Sequence, residues 1–473
     1  MTKIFEDLKN KRITIMGLGL NQGGLGVTQF LVKAGAQILV TDLKTKEELN
    51  PSLEKLKGFN IQYVLGRHRE EDFINTDMVI QNPAVPHDSK YLKIARSQGI
   101  PIETDLGLFF QLCPSKKIIA IAGTKGKSTV SFLVYQIFKE AQKEVVLAGN
   151  IGISVLDILE KITPQTWVIL EISTWQMEGM KKHKFRPQTA VLTNILPDHL
   201  DRYPNFKEYA QAEKLIFQHQ RSKDNLVANF DNGEIIQVKE ETKSQVYWFS
   251  TKEKIEPGSY LEKDSLVFQS GEHKIPFAKI SNLTLPGTHH LENILAAGTV
   301  GFIHKIPAEV ILRAIKNFPG LPYRLEFIRE FKGIKFYNDS CSTTPEATLA
   351  ALESFPQQSI ILILGGKDKK LDYEKLGKAI GKNKEIKKII LLQHPDYDAS
   401  PKIFSALKKY FDPEKIILAS NLKIGVEAAL QKTQPNEIIL LSPAAASFGM
   451  FKNEFDRGDQ FNTAVKNLKR QKP

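Results

Sequence analysis

Cysteine is scarce in this chain. Two residues, Cys113 and Cys341, among 473 cannot build a disulfide framework. That excludes the small stapled secreted folds and fits a reducing compartment. Long apolar runs are also missing: no window of about 18 uncharged apolar residues occurs, so no membrane span is expected. The opening MTKIFEDLKNKR lacks the apolar stretch of a secretory signal, and a cytoplasmic location is expected. No stripe of basic residues with interleaved aromatics appears. The lysines are scattered, as in KEIKK and SALKKY, and no nucleic-acid partner is expected. Internal repeats and low-complexity tracts are absent.

What remains is an ordinary globular composition, 42% hydrophobic and 25% charged, with a net charge of +12. The positive balance suits anionic ligands such as nucleotides. The length exceeds one compact core and implies several domains. Near the N-terminus, RITIMGLG and QILVTD read as buried strands around the helix GVTQFLVKAGA, followed by DMVIQNPAVP and GIPIETD. Repeated strand–helix units imply a parallel sheet covered on both faces. A second unit opens at KKIIAIAGTKGKST and includes the strands TWVILEIS and TAVLTNI. From about residue 225 to 285, QVYWFS, SLVFQSGEHKIPF and LTLPG read as a small antiparallel patch. FPGLPYRLE is rich in proline and glycine and reads as an interdomain hinge. Beyond it, IKFYND, SIILILGG, KKIILL and NEIILLSP alternate with helices. The expected fold class is therefore α/β with three domains: Rossmann-like 1–115, a central P-loop-type ATPase domain 116–321 carrying the antiparallel patch, and Rossmann-like 322–473.

Two glycine turns carry the chemistry. In AGTKGKST, Gly123 and Gly126 follow an apolar strand and precede a helix. Backbone amides of such a turn, at a helix N-terminus, form an anion cradle. Lys127 supplies an ammonium for β/γ phosphates and Ser128 a hydroxyl for Mg²⁺. The strict P-loop has a glycine where this chain has Ile121, so this is a shorter variant. In GLGLNQGG, Gly17 and Gly19 follow a strand, but Gly23 comes one position late for a dinucleotide fingerprint. Asp42 ends the next strand, where an acid meets a ribose in such folds. Read alone, this loop serves some nucleotide or is a plain tight turn.

Carboxylates follow. Glu171 ends WVILEIS, at the strand edge where open α/β sheets bind ligands, and could hold Mg²⁺ with Ser128. Asp198, His199 and Asp201 lie in the loop PDHLDRYP. Asn205 and Glu208 have the spacing of a capping box. Periodicity makes Lys214 a snorkelling surface lysine, and His183 and His219 structural or solvated.

Together with GNIG, LEISTWQ, LPGTHHLEN, LPYRLE, YNDSCSTTPEA, LGGKDK and LLSPAAASFGMFKNEFDRG, these strings resemble the Mur ligase family of peptidoglycan synthesis, in its glutamate-adding branch. The resemblance runs in order over nearly the whole chain. It implies that the first domain binds a uridine-diphosphate sugar through Gly19, Leu20, Asn21, Asp42 and Asn82, with Asn150, Ser173 and Gln176 on the substrate side. It implies ATP at Gly123, Thr124, Lys125, Gly126, Lys127, Ser128 and Thr129, joined by Asn293, Arg324 and Asp339. Two Mg²⁺ ions would be held by Ser128, Glu171, His199 and Lys214. Lys214 would carry a CO₂-derived carbamate, and Lys127, His199 and Lys214 would form the catalytic set. Thr343, Lys369, Ser442 and Phe451 match a glutamate pocket.

The implied reaction is ATP-dependent. The carboxylate of UDP-N-acetylmuramoyl-L-alanine attacks the γ-phosphate, and the acyl phosphate is then aminolysed by glutamate, D-glutamate first. A monomer acting on small molecules is expected. Cys341 replaces a lysine of that branch, and His290 replaces an asparagine, so L-glutamate or another amino acid stays open. A nicotinamide oxidoreductase is the alternative from a different class. It would use GLGLNQGG and leave AGTKGKST idle.

Overall fold

The computed structural model describes residues 6–20, 22–197, 202–283, 288–318, 320–368, 371–395 and 398–468. Asn21, Asp198, His199, Asp201 and Lys369 fall outside these ranges. The chain divides into two compact units, Met1–Ser281 with Glu292–Ile315, and Asn282–Leu291 with Lys316–Pro473.

The first unit holds two sheets. The N-terminal sheet is wholly parallel, in the order β3-β2-β1-β4-β5, from β1 (Arg12–Met16), β2 (Gln37–Asp42), β3 (Ile61–Leu65), β4 (Met78–Gln81) and β5 (Ile102–Glu103). β3 escapes a reading of the sequence because it is an edge strand with exposed Gln62 and Tyr63. An edge needs no continuous apolar run.

The second sheet has nine strands, ordered β14-β13-β12-β11-β10-β9-β6-β8-β7. Its centre is β6 (Ile118–Ala122), buried at every position and paired in parallel with β8 (Trp167–Glu171) and β9 (Thr189–Leu192). β7 (Val145–Gly149) closes one side. Such all-apolar strands belong to sheets covered on both faces. The stretch expected as a separate antiparallel patch is instead the far side of this sheet. β10 (Asn225–Asn229), β11 (Gln245–Ser250) and β12 (Gly258–Glu262) run parallel, so QVYWFS is a parallel strand. Only β12, β13 (Ser265–Ser270) and β14 (His273–Lys279) pair antiparallel. A single apolar core runs from Ile13 and Val40 through Ala120 and Leu170 to Tyr260, joining both sheets.

The second unit has six strands, β15-β16-β20-β17-β18-β19. Four match the expected strands: β16 (Ile334–Asn338), β17 (Ile360–Leu364), β18 (Ile386–Leu392) and β20 (Ile438–Leu441). β15 (Glu326–Phe331) adds an antiparallel edge and β19 (Ile416–Ala419) a parallel one. Among the described residues no helix is long and apolar enough to cross a membrane.

Candidate active site

Ala122, Gly149 and Glu171 end neighbouring parallel strands at one carboxyl edge. Ligands of open α/β sheets bind at such an edge. The chain leaves β6 through Gly123 and Gly126, whose φ values are +120° and +85°. A Cβ at Gly123 would lie 2.3 Å from Thr193 Oγ1, and one at Gly126 would lie 2.4 Å from Asn293 Oδ1. Both conformation and space therefore demand glycine. The turn is tied down from outside: Thr124 N donates to Asn194 O at 2.8 Å and Lys125 N to Asn194 Oδ1 at 2.8 Å. Thr193 Oγ1 donates to Lys125 O at 2.6 Å. Gly126 caps the helix Lys127–Glu140, so Ser128 and Thr129 occupy its first turn, where amides have no intrahelical acceptor. Lys127 Nζ curls back to Gly123 O at 2.6 Å and Thr124 O at 3.0 Å. Asn293, expected from far along the chain, is brought against this turn.

Beneath the turn lies a residue that sequence reasoning missed. Glu213 Oε2 accepts the Gly123 amide at 3.0 Å. Its Oε1 accepts Thr174 Oγ1 at 3.0 Å and Tyr209 OH at 2.9 Å. Tyr209 OH is also 2.9 Å from Thr124 Oγ1. Burial pushes the Glu213 carboxyl up, against the Lys127 charge and these three donors. The signal was present as Tyr209 and Glu213 at i, i+4 on the helix Phe206–Lys214. Lys214 is a correction. It is buried rather than snorkelling, and Nζ pairs with Glu241 Oε1 at 2.6 Å. The carboxylate that reaches the turn belongs to the residue before it. The capping box is also only half formed. Asn205 caps Glu208 N, but the Glu208 side chain returns to the Asn205 amide group, not to its backbone.

Glu171 is buried, and its Oε1 accepts from Asn150 Nδ2 at 3.0 Å. Ser173 and Gln176 form a reciprocal capping box for the helix Thr174–Gly179, a structural use alongside the substrate role implied for them. His183 is held by Glu103 at 2.9 Å.

In the N-terminal sheet, Asp42 Oδ2 accepts Leu18 N at 2.8 Å and Gly19 N at 3.0 Å, and its Oδ1 accepts Lys44 N at 2.9 Å. Asp42 braces the glycine loop through Oδ2 and its own strand end through Oδ1. Asn82 Nδ2 donates to Gly17 O at 3.2 Å, and Leu20 is exposed at the loop tip.

In the second unit, Asp339 and Ser442 follow the paired strands β16 and β20. Ser442 Oγ donates to Asp339 Oδ2 at 2.7 Å and lies 3.0 Å from Thr348 Oγ1. Residues expected at two different ligands thus share one cluster. Burial pushes the Asp339 carboxyl up to about 6, against Ser342, Ser442, the Leu325 amide and the Arg324 charge. Thr343 N donates to Cys341 O at 3.0 Å. Burial raises the Cys341 thiol to about 11, so it is no thiolate. Phe451 sits in the apolar core with Phe336 and Phe461, a packing position. Arg457, also missed, is fully buried and ties Ser340 to Ala445 O.

A glycine turn opening a helix at a parallel sheet edge, a Rossmann-like sheet before it and an α/β unit after it are the architecture of a nucleotide-binding α/β enzyme. Three family models match in the same order: Mur ligase MurD-like N-terminal domain over 11–104, Mur ligase middle domain over 121–301, and Mur ligase, glutamate ligase domain over 323–445. The chain belongs to the Mur ligase family. It is 39% identical to the UDP-N-acetylmuramoylalanine–D-glutamate ligase of Roseiflexus sp., covering 98% of this chain and 99% of that one. The protein of the same name from Acetivibrio thermocellus is 35% identical, over 98% of this chain and 97% of the relative. Among solved structures, UDP-N-acetylmuramate-alanine ligase from Thermotoga maritima shares the fold with a TM-score of 0.58 at 19% identity, covering 97% and 99% of the two chains. A pseudomurein peptide ligase from Methanothermus fervidus does so at 0.52 and 18%, covering 97% and 100%.

Proposed function

We propose that this chain joins D-glutamate to the alanyl carboxylate of UDP-N-acetylmuramoyl-L-alanine at the expense of ATP, in the cytoplasmic stage of peptidoglycan precursor synthesis. The observation that carries this reading is the Lys127-bearing turn at the carboxyl edge of β6, in a chain similar over 98% of its length to ligases of that name. The oxidoreductase alternative has no support.

In this reading the domains are 1–115, 116–321 and 322–473. Gly126, Lys127, Ser128 and Thr129 hold the triphosphate, with Lys127 leaving its two carbonyls for the phosphates. Asn293, Arg324 and Asp339 serve the nucleotide, and the Gly19 loop with Asn82 serves the uridine diphosphate. The described residues contain no cluster of three or more His, Cys, Asp or Glu that could hold a metal. One buried carboxylate, Glu171, and the Ser128 hydroxyl are hard oxygen donors, which suits Mg²⁺ sharing its shell with phosphates and water. Bound there, Mg²⁺ would neutralise phosphate charge. The alanyl carboxylate attacks the γ-phosphorus, ADP leaves, and the glutamate amine displaces phosphate from the acyl carbon. Two anions must meet in the first step. The Lys127 charge and the first-turn amides lower that repulsion. The carbamate expected on Lys214 does not fit, because its Nζ is engaged by Glu241, and no step is assigned to it.

The test is phosphate release with UDP-N-acetylmuramoyl-L-alanine and, separately, D-glutamate, L-glutamate and other amino acids. Release with D-glutamate alone is expected. Turnover only with another amino acid would sink the substrate assignment.

A further inference from the structure

The resemblance places a lysine-borne carbamate, an anion made from CO₂, among the metal ligands. The side chains here are arranged otherwise. Successive helix positions point about 100° apart, and Glu213 and Lys214 accordingly face different partners. Lys214 lies against Glu241 of the helix Val238–Glu241, with only 8% of its side chain exposed. Glu213 lies under the phosphate turn, bonded to Gly123 N, Thr174 Oγ1 and Tyr209 OH.

We infer that Glu213 is itself the second-metal carboxylate of this ligase, and that the chain works without carbamylation. The inference rests on the reading that Mg–ATP occupies the turn. A carboxylate offers about four lone-pair directions. Two on Oε1 take hydroxyl donors and one on Oε2 takes an amide. Among the described residues one direction on Oε2 is left, and the three donors hold the group in place. The Lys127 charge acts on it. Once that ammonium turns to the phosphates, a buried anion is left needing another positive partner. A divalent ion at the open Oε2 position meets that need. Lys214, by contrast, already has its counter-charge, and an added carboxylate there would face Glu241 as a like charge.

The experiment uses the full-length enzyme, Mn²⁺ and a non-hydrolysable ATP analogue, with metal binding followed by electron paramagnetic resonance. A parallel sample in ¹³C-bicarbonate is read by ¹³C NMR for a carbamate carbonyl. The expected results are no carbamate resonance and unchanged Mn²⁺ affinity in Lys214→Arg, which keeps the Glu241 pair but cannot take up CO₂. Glu213→Gln should weaken Mn²⁺ by roughly 10–100-fold. A resonance lost in Lys214→Arg, or weakened Mn²⁺ in that variant, overturns the proposal. So does folded Glu213→Gln with wild-type affinity. If Glu213→Gln fails to fold, Glu213→Asp, which keeps the charge but withdraws the carboxylate by one methylene, takes its place, and wild-type Mn²⁺ affinity in that variant overturns the proposal. Wild-type enzyme that binds no Mn²⁺–nucleotide overturns the ATP reading as well.

Discussion

The two glycine turns of the first unit are built from similar letters and are held in different ways. At GLGL, one carboxylate, Asp42, gathers the Leu18 and Gly19 amides, and the tip stays open with Leu20 exposed. At GTKGK, groups from four separate stretches of chain converge: Thr193 and Asn194, Thr174, Tyr209 with Glu213, and Asn293. The GLGL backbone is held by Asp42, by Ser52 Oγ donating to Gly19 O at 2.7 Å and by Asn82 Nδ2 donating to Gly17 O at 3.2 Å, all from the strand ends and helix beside it. In the proposed function the GTKGK turn keeps its amides and an ammonium in place while charge moves, and that calls for an environment arranged in advance.

Lys127→Ala tests the second turn most severely. Turnover should fall by about 10²–10³-fold, measured as phosphate release, whereas near-normal turnover would remove the difference between the turns. Asp339 extends the comparison to the other unit. Its folded-state pKa of about 6 lies above the ordinary 3.8, so the native state holds the extra proton. Stability tied to this proton is complete below pH 3.8 and is lost as pH rises through 6, up to about 3 kcal/mol. Asp339→Asn should therefore be more stable than wild type at pH 8 and lose that advantage near pH 4, as read by thermal melts. Asp42→Ala leaves two loop amides without their acceptor. KM for the uridine substrate should rise about tenfold, consistent with 1–3 kcal/mol, while KM for ATP holds. A rise in both would mean the turns are not independent.

The smallest effect sharpens the contrast. Gly126→Ala meets a left-handed φ and the Asn293 side chain at 2.4 Å, while Gly19→Ala meets a left-handed φ and, among the described residues, Asn82 Nδ2 at 3.9 Å. Strain alone costs about 1–2 kcal/mol. Chemical denaturation should show Gly126→Ala losing more than Gly19→Ala, and equal losses would argue against the tighter packing of the central turn.

The legible parts of the molecule were those with strong local patterns. IIAIA and SIILIL announce buried parallel strands because every position is apolar. The glycine turns announce themselves because positive φ needs glycine. The edge strand β3 was silent because two of its five side chains are exposed and none is fully buried. The pairing direction of QVYWFS was silent because a strand carries the same alternation whether its neighbour runs with or against it. Arg457 carries no signal of burial in its own stretch of sequence, because its acceptors, Ser340 Oγ, Ser340 O and Ala445 O, come from distant loops.

The sequence by itself determined the family, through the strings it shares with it, and also the three α/β domains and the placing of Lys127, Ser128 and Glu171 at strand and helix ends, which depend on local periodicity and turn chemistry. Only the tertiary structure gave the neighbours Glu213 and Lys214 different partners, and gave Asp42 to a loop and Ser442 to Asp339. The physical reason is that a side chain's charge state and partner depend on what other elements bring within about 3 Å, the reach of a hydrogen bond. No stretch of letters contains that distance.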